Sequence, residues 1–339
     1  IINPIQIKII LSNKGFAFLL TLIFLNFLYF IIFDKINDIE SIKYLLARTI
    51  QFLIISFSIF YHHEYYKDKF FTHIVYSVFL IILLGLFIDP FIFSGRYYGI
   101  IWNPNMLASF STISFGIVFL KQEKLRNLDY VFLILFLIIS LATGSRGALL
   151  GIPFAFFLKY GFSVRNIAYG ILSIILYLFV VNLALETSIN RLDLTHIFSD
   201  RTLQLLLAYE TFLEKPWFGW GLSKYAFLDL KLAPDYLPDN IKGSIISAHN
   251  GYLAILVQYG IIFASLILYI IFKKSFSVLY FFRGSRIGFK AIYSYIIIYA
   301  LFESLYETMI TGINEFHTIL FWFSLAMLSY TKILTLDAD

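Results

Sequence analysis

The chain is cut by short polar loops into apolar runs of membrane-spanning length, and that rhythm limits what it can fold into. A spanning helix needs roughly 20 mostly apolar residues, within a range of about 17–25. Such runs stand at about 15–33, 44–61, 70–88, 105–120, 128–142, 147–160, 165–185, 251–272, 289–306 and 316–332. Inside a bilayer every backbone group must be satisfied internally, so the expected fold is all-α, a polytopic transmembrane helix bundle of about ten spans. Composition agrees. The sequence is 60% hydrophobic, 20% aromatic and 14% charged, with a mean hydropathy of +0.82, whereas soluble domains carry about 25% charged residues. The net charge of +5 is not a nucleic-acid signal, because the basic residues sit in short loops between apolar runs. Cysteine is absent, which removes disulfides and a thiol nucleophile. The chain opens on Ile1 rather than Met, so further N-terminal residues, one or two spans among them, are expected before it. Residues 1–339 read as a single integral membrane domain, with one long loop at 186–248 that contains short helices.

Two short runs meet at Gly144–Gly147. A single helix over 128–160 would be about 48 Å long at 1.5 Å per residue. It would also bury Arg146 in hydrocarbon at a cost of several kcal/mol, so the sequence predicts a break there. With that break, fifteen Lys and Arg from Lys8 to Lys332 fall on one side, against Lys35, Lys43, Arg96 and Arg146 in the other side's short loops. The richer side is cytoplasmic by the positive-inside bias, and the long loop goes outside uncounted. The outer face then gathers Arg96, Asn103, Asn105, Ser145, Arg146, Arg201, His249 and the acidic stretch Glu303, Glu307 and Glu315.

Each of these residues has a bland use and a chemical one. Arg146 in Gly-Ser-Arg-Gly could snorkel to headgroups. Its planar fork could instead grip phosphate oxygens bidentately, with glycines letting the ligand approach the backbone. Arg201 opens an expected helix of about 201–214, capped by Ser199 or Asp200 and ended by Pro216. A helix N-terminus is also a natural anion site. His249 precedes Asn250-Gly251 where the chain re-enters the membrane, which suits either a helix start or a proton acceptor near neutral pH. Asn103 and Asn105 flank Pro104 and could cap a helix or bind sugar. Trp217-Phe218-Gly219-Trp220-Gly221 suits an interfacial anchor. His62-His63 reads as a boundary in a basic loop, and His196 and His317 have no clear partners. No metal-ligand spacing, phosphate loop or Gly-x-Ser-x-Gly is visible, so chemistry without metal or cofactor is expected.

In this order the pieces resemble the bacterial O-antigen ligase/polymerase superfamily of membrane glycosyltransferases. The stretches that carry the likeness are Arg96 to Ala108, Thr143-Gly144-Ser145-Arg146-Gly147-Ala148, Arg201, Glu214 to Gly221, and Ser247-Ala248-His249-Asn250-Gly251-Tyr252-Leu253 with Gly260 beyond. The resemblance covers about 90–335. Trp102 and Trp217 are bulkier than the family's usual residues there. The resemblance implies a fold like that of the C-type glycosyltransferases, in the bacterial inner membrane, with an active site facing the periplasm. It implies a glycan donor on undecaprenyl pyrophosphate, held by Arg146 and Arg201, with His249 as base, no metal, and inversion at the anomeric carbon. Arg96, Asn103, Asn105, Ser145 and Asn250 are further candidates for substrate contact. The first functional expectation is an O-antigen ligase that delivers the glycan to lipid A–core or another terminal acceptor. The alternative is a repeat-unit polymerase of O-antigen or capsule, which differs only in its acceptor. A third, a lipid or oligosaccharide transporter, would more often show inverted repeats, and none is visible. Besides donor and acceptor, membrane lipids are the expected partners. The three residues Arg146, Arg201 and His249 are expected to converge in one outward-facing cavity.

Overall fold

The computed structural model describes residues 4–34, 38–122, 124–172, 199–224, 248–313 and 315–338. Among them there is no strand. The helices are α1 (Pro4–Ser12), α2 (Ala17–Phe33), α3 (Ile39–Lys67), α4 (Lys69–Ile88), α5 (Pro104–Lys121), α6 (Asn127–Ala142), α7 (Arg146–Leu149), α8 (Gly151–Tyr160), α9 (Ser199–Glu214), α10 (Gly251–Phe281), α11 (Gly288–Glu303) and α12 (Phe316–Leu336). The expected apolar runs within the description fall on these helices. Much of the run at 165–185 and of the loop at 186–248 lies outside the described residues. Among those residues, α3, α4, α10 and α12 are long and apolar enough to cross a membrane, while α2, α6 and the stretch Gly147–Tyr160 are shorter apolar helices. The full count of ten spans is therefore not reached on length and composition. The break at Gly144 is one physical reason, since it leaves a short helix on each side.

Two expectations about local structure change. The His62-His63 boundary is a kink inside α3, where His62 has φ −122° and ψ 28°, and Asp68 alone separates α3 from α4. His317 has a partner, because its Nε2 lies 2.9 Å from Glu315 Oε2. His196 lies outside the described residues.

The fold divides into two compact units: Ile1–His63 with Ser199–Phe281 and Ala300–Asp339, and Glu64–Phe198 with Phe282–Tyr299. The second is built around α5. Asn103 caps this helix, its side chain accepting from the amides of Asn105 and Met106 at 3.0 and 3.2 Å. Pro104 takes the first turn, where its missing N–H costs nothing. The small side chains Ser109, Ser111, Thr112 and Ser114 are buried, and such residues let spanning helices approach closely. The Tyr295 ring from α11 fills the space against Gly116, where an added Cβ would sit 2.1 Å from it. The Tyr295 hydroxyl donates to Thr112 O at 2.9 Å.

The first unit is organised by a break in α10. Gly260 has φ 63° and ψ 173°, a conformation essentially restricted to glycine. A break in a spanning helix leaves amides and carbonyls that lipid cannot satisfy. Here another segment satisfies them. Trp220 N donates to Val257 O at 2.9 Å and Gly221 N to Gln258 O at 3.1 Å. In return Ile261 N donates to Pro216 O at 2.7 Å and Ile262 N to Trp217 O at 3.4 Å. The Tyr29 hydroxyl bridges the carbonyls of Phe218 and Gln258 at 2.5 and 2.9 Å. The aromatic-glycine stretch expected as an interfacial anchor is thus a splint laid into a broken helix. Its glycines let two backbones touch: a Cβ on Gly219 would lie 2.4 Å from Gly260 N.

Candidate active site

The site is built where α10 begins. Asn250 caps the helix, its Oδ1 accepting from Leu253 N at 2.9 Å, the usual bond from a capping side chain to the third helical amide. Its Nδ2 donates to Leu305 O at 3.1 Å. Gly251 N donates to the carbonyls of Ser304 and Glu307 at 2.7 and 3.1 Å. The start of α10 is therefore sewn to the segment that leaves α11. An added Cβ on Gly251 would meet Ile310 and Ser304 at 3.2 and 3.3 Å, so this approach depends on a minimal side chain.

The stitching delivers one consequence for chemistry. His249 Nδ1 lies 3.0 Å from Glu307 Oε2. An ionised carboxylate only accepts, so Nδ1 carries the proton in this pair and Nε2 is left as the basic nitrogen. His249 retains 28% side-chain exposure, against 16% for Glu307: the histidine is reachable while its partner is more enclosed. The His249 backbone has φ 41°, a left-handed conformation that is uncommon outside glycine and clusters at functional sites. Ala248, beside it, is buried with Leu207 and Ala208 of α9 and Ala254 and Val257 of α10. The helix that Arg201 enters is thereby packed on the first turns of the helix that follows His249.

In the other unit, α6 ends at Ala142 and Gly144 turns the chain with φ 64°. Arg146 then opens α7, so the break expected at Gly144–Gly147 is present. Arg96 holds this turn. Its Nε donates to Thr143 O at 3.1 Å, and its Nη2 donates to Asn105 Oδ1. Tyr97 N adds a bond to Ala142 O at 3.0 Å. Ser145 is 3% exposed, and its amide donates to Thr143 Oγ1 at 3.3 Å. Arg96, Asn103, Asn105 and Asn250 thus all have defined internal partners, which fix the turns around Arg146 and His249. The guanidinium positions of Arg146 and Arg201, and with them the expected convergence on His249, lie outside the described residues.

The sequence reading placed Glu307 in an acidic outer stretch without a role. The missing link was its pairing with a histidine 58 positions earlier in the chain. Its signal was available in the topology: a carboxylate between the last two apolar runs must lie at the same end of the bundle as a histidine that starts the run before them.

No curated protein matches the chain. Residues 131–270 match the family model described as O-antigen ligase. The matched stretch runs from α6 through the Arg146 turn, Arg201, the splint at 216–222 and His249, and stops short of the Arg96–Ala108 motif. Over that stretch the chain is similar to O-antigen ligases, which bears out its resemblance to the O-antigen ligase/polymerase superfamily.

Proposed function

We propose that this protein is a metal-independent, inverting glycosyltransferase of the bacterial inner membrane. It moves a glycan from undecaprenyl pyrophosphate to an acceptor hydroxyl at the periplasmic face, as an O-antigen ligase acting on lipid A–core or a similar terminal acceptor. The observation that carries the chemistry is the His249–Glu307 pair at 3.0 Å, whose histidine falls within the stretch that matches the O-antigen ligase family model. Nε2 of His249 takes the proton of the acceptor hydroxyl as its oxygen attacks the anomeric carbon. Glu307 holds the imidazole in the useful tautomer and stabilises the imidazolium that forms, as an orienting carboxylate does for other catalytic histidines. The bond between the sugar and the pyrophosphate oxygen breaks, and negative charge grows on the leaving group. Arg146 and Arg201 stabilise that charge where it develops. The Arg96–Thr143 and Arg96–Asn105 bonds support this role for Arg146, since they fix the turn that presents it. Ser145, Asn103, Asn105 and Asn250 act by shaping these turns and by any polar contact they make with the glycan.

The test is acceptor-dependent transfer by the purified protein in detergent, which a transporter could not perform. In a deletion strain, lipopolysaccharide without attached O-antigen and with carrier-linked polymer accumulating means a ligase. A core bearing one repeat unit would make the protein a polymerase instead.

Arg146→Lys should abolish most transfer despite conserving charge, because lysine lacks the planar fork that grips two phosphate oxygens. A Lys variant with near wild-type turnover would leave Arg146 as a residue that snorkels to the headgroups. Chelator should leave the wild-type rate unchanged. A loss restored by a divalent ion would point to Glu303, Glu307 and Glu315 as overlooked ligands and would remove Glu307 from its orienting role.

A further inference from the structure

The unit that holds His249 contains a buried cation that the mechanism above does not use. Arg48 lies on α3, inside the apolar run 44–61, and is 3% exposed. A charge in such a place is costly and is by default tied to function. Its Nη2 donates to the carbonyls of Thr311 and Gly312 at 2.5 and 3.1 Å. Its Nη1 donates to Gln51 Oε1 at 2.7 Å, and Gln51 Nε2 donates to Ile313 O at 2.9 Å. Two side chains one turn apart on α3 thereby hold three consecutive carbonyls. The guanidinium also sits 5.6, 5.5 and 5.9 Å from the ring centres of Tyr44, Phe52 and Trp322, close enough for cation–π attraction to offset part of its desolvation. The cavity beside it, also lined by Asn26 and Tyr259, has a volume of about 30 Å³. Since a water needs roughly 10–15 Å³ on this measure, the cavity suits one or two waters and not a phosphorylated sugar. Arg48 grips backbone rather than donor.

We propose that Arg48, with Gln51, is a positioning residue that fixes the segment 304–313 so that Glu307 meets His249. The proposal rests on His249 being the base. The segment has two anchors. At one end the start of α10 binds the carbonyls of Ser304, Leu305 and Glu307. At the other, α3 binds those of Thr311, Gly312 and Ile313. Between them a tight turn is closed by the amides of Thr311 and Gly312 on Thr308 O at 3.3 and 3.4 Å. A shift at 311–313 is passed through that turn to Glu307. Arginine suits the task because one planar group serves two carbonyls and a neighbouring amide oxygen at once, a geometry lysine lacks.

The experiment uses the purified full chain and the variants Arg48→Lys and Gln51→Leu, each alone and combined with Glu307→Gln. Each single variant should lower kcat by up to roughly 10²-fold, the penalty a displacement of about 1 Å can exact, with acceptor KM unchanged. Added to Glu307→Gln they should cost little more, since residues acting through one contact are not additive. Amide hydrogen exchange over 304–313 should quicken in both. Gln51→Leu removes no charge and carries the test if Arg48→Lys does not fold. Unchanged kcat in folded variants, or losses that multiply with that of Glu307→Gln, would overturn the positioning role while leaving His249 as base. A wild-type protein without transfer activity would overturn the reading of His249 and the positioning role together.

Discussion

His249→Ala should lower turnover by roughly 10²–10⁴-fold, the usual contribution of a positioned general base, while binding of the donor pyrophosphate persists. The prediction follows from the pair with Glu307 at 3.0 Å, in which Nδ1–H donates to the carboxylate and Nε2 is the basic nitrogen. The backbone supplies a sharper control. With φ 41°, position 249 is left-handed, a region where asparagine is several-fold enriched and most other residues are strained. His249→Asn should therefore keep the fold and still lose the base, so that both variants are inactive and the Asn variant melts with wild type. Glu307→Gln should also be impaired, because its amide can donate to Nδ1 and favour the wrong tautomer, the kind of change known to cripple a catalytic histidine. A His249→Gln or His249→Asn variant with most of the wild-type turnover would sink the proposal and reduce His249 to a helix-start residue.

Much of the fold was legible because the bilayer enforces it. Apolar runs must be helices, and the described runs are. The break at Gly144 was legible from length and from the cost of burying Arg146. The use of Asn103 as a cap was legible from the proline that follows it. What the sequence hid were the pairings between distant segments. Nothing local in Trp217-Phe218-Gly219-Trp220-Gly221 says that its amides complete a helix broken at Gly260, because periodicity does not register a backbone that satisfies another backbone. Aromatic residues punctuated by glycine fit a surface anchor equally well. Glu307 and Arg48 were hidden for a related reason. Orientation counting uses charges in loops, so an arginine inside the run at 44–61 drops out of the count. Yet a buried charge in an apolar run is itself a signal, and it would have pointed to α3 as a helix with a polar task. His249, by contrast, stood out because it and Asn250 interrupt apolar sequence just where a run begins.

Gly260→Ala should be strongly damaging, because it combines backbone strain with a clash against backbone. The residue occupies φ 63°, ψ 173°, where a side chain costs about 1–3 kcal/mol in backbone strain. The new Cβ would also lie 2.4 Å from Phe218 N and from Trp217 C. These are backbone atoms that cannot rotate away, and overpacking adds roughly 1–3 kcal/mol. Separation of the splint from α10 would then expose the amides and carbonyls of 257–262 to a medium that cannot pair with them. The expected result is a melting temperature in detergent well below wild type, or no folded protein at all. Transfer activity should go with it, because the displaced half-helix is the one that starts beside His249. Gly284→Ala is the control: a Cβ there meets nothing within 4 Å, and its melting should match wild type. Gly219→Ala strains the same contact from the other side, its Cβ falling 2.5 Å from Gln258 O. Once either glycine is replaced the two backbones are already apart, so the double variant should lose less than the sum of the two singles. A Gly260→Ala protein that melts with wild type would mean that the splint is not what holds the break, and strictly additive losses would mean that the two glycines act at separate contacts.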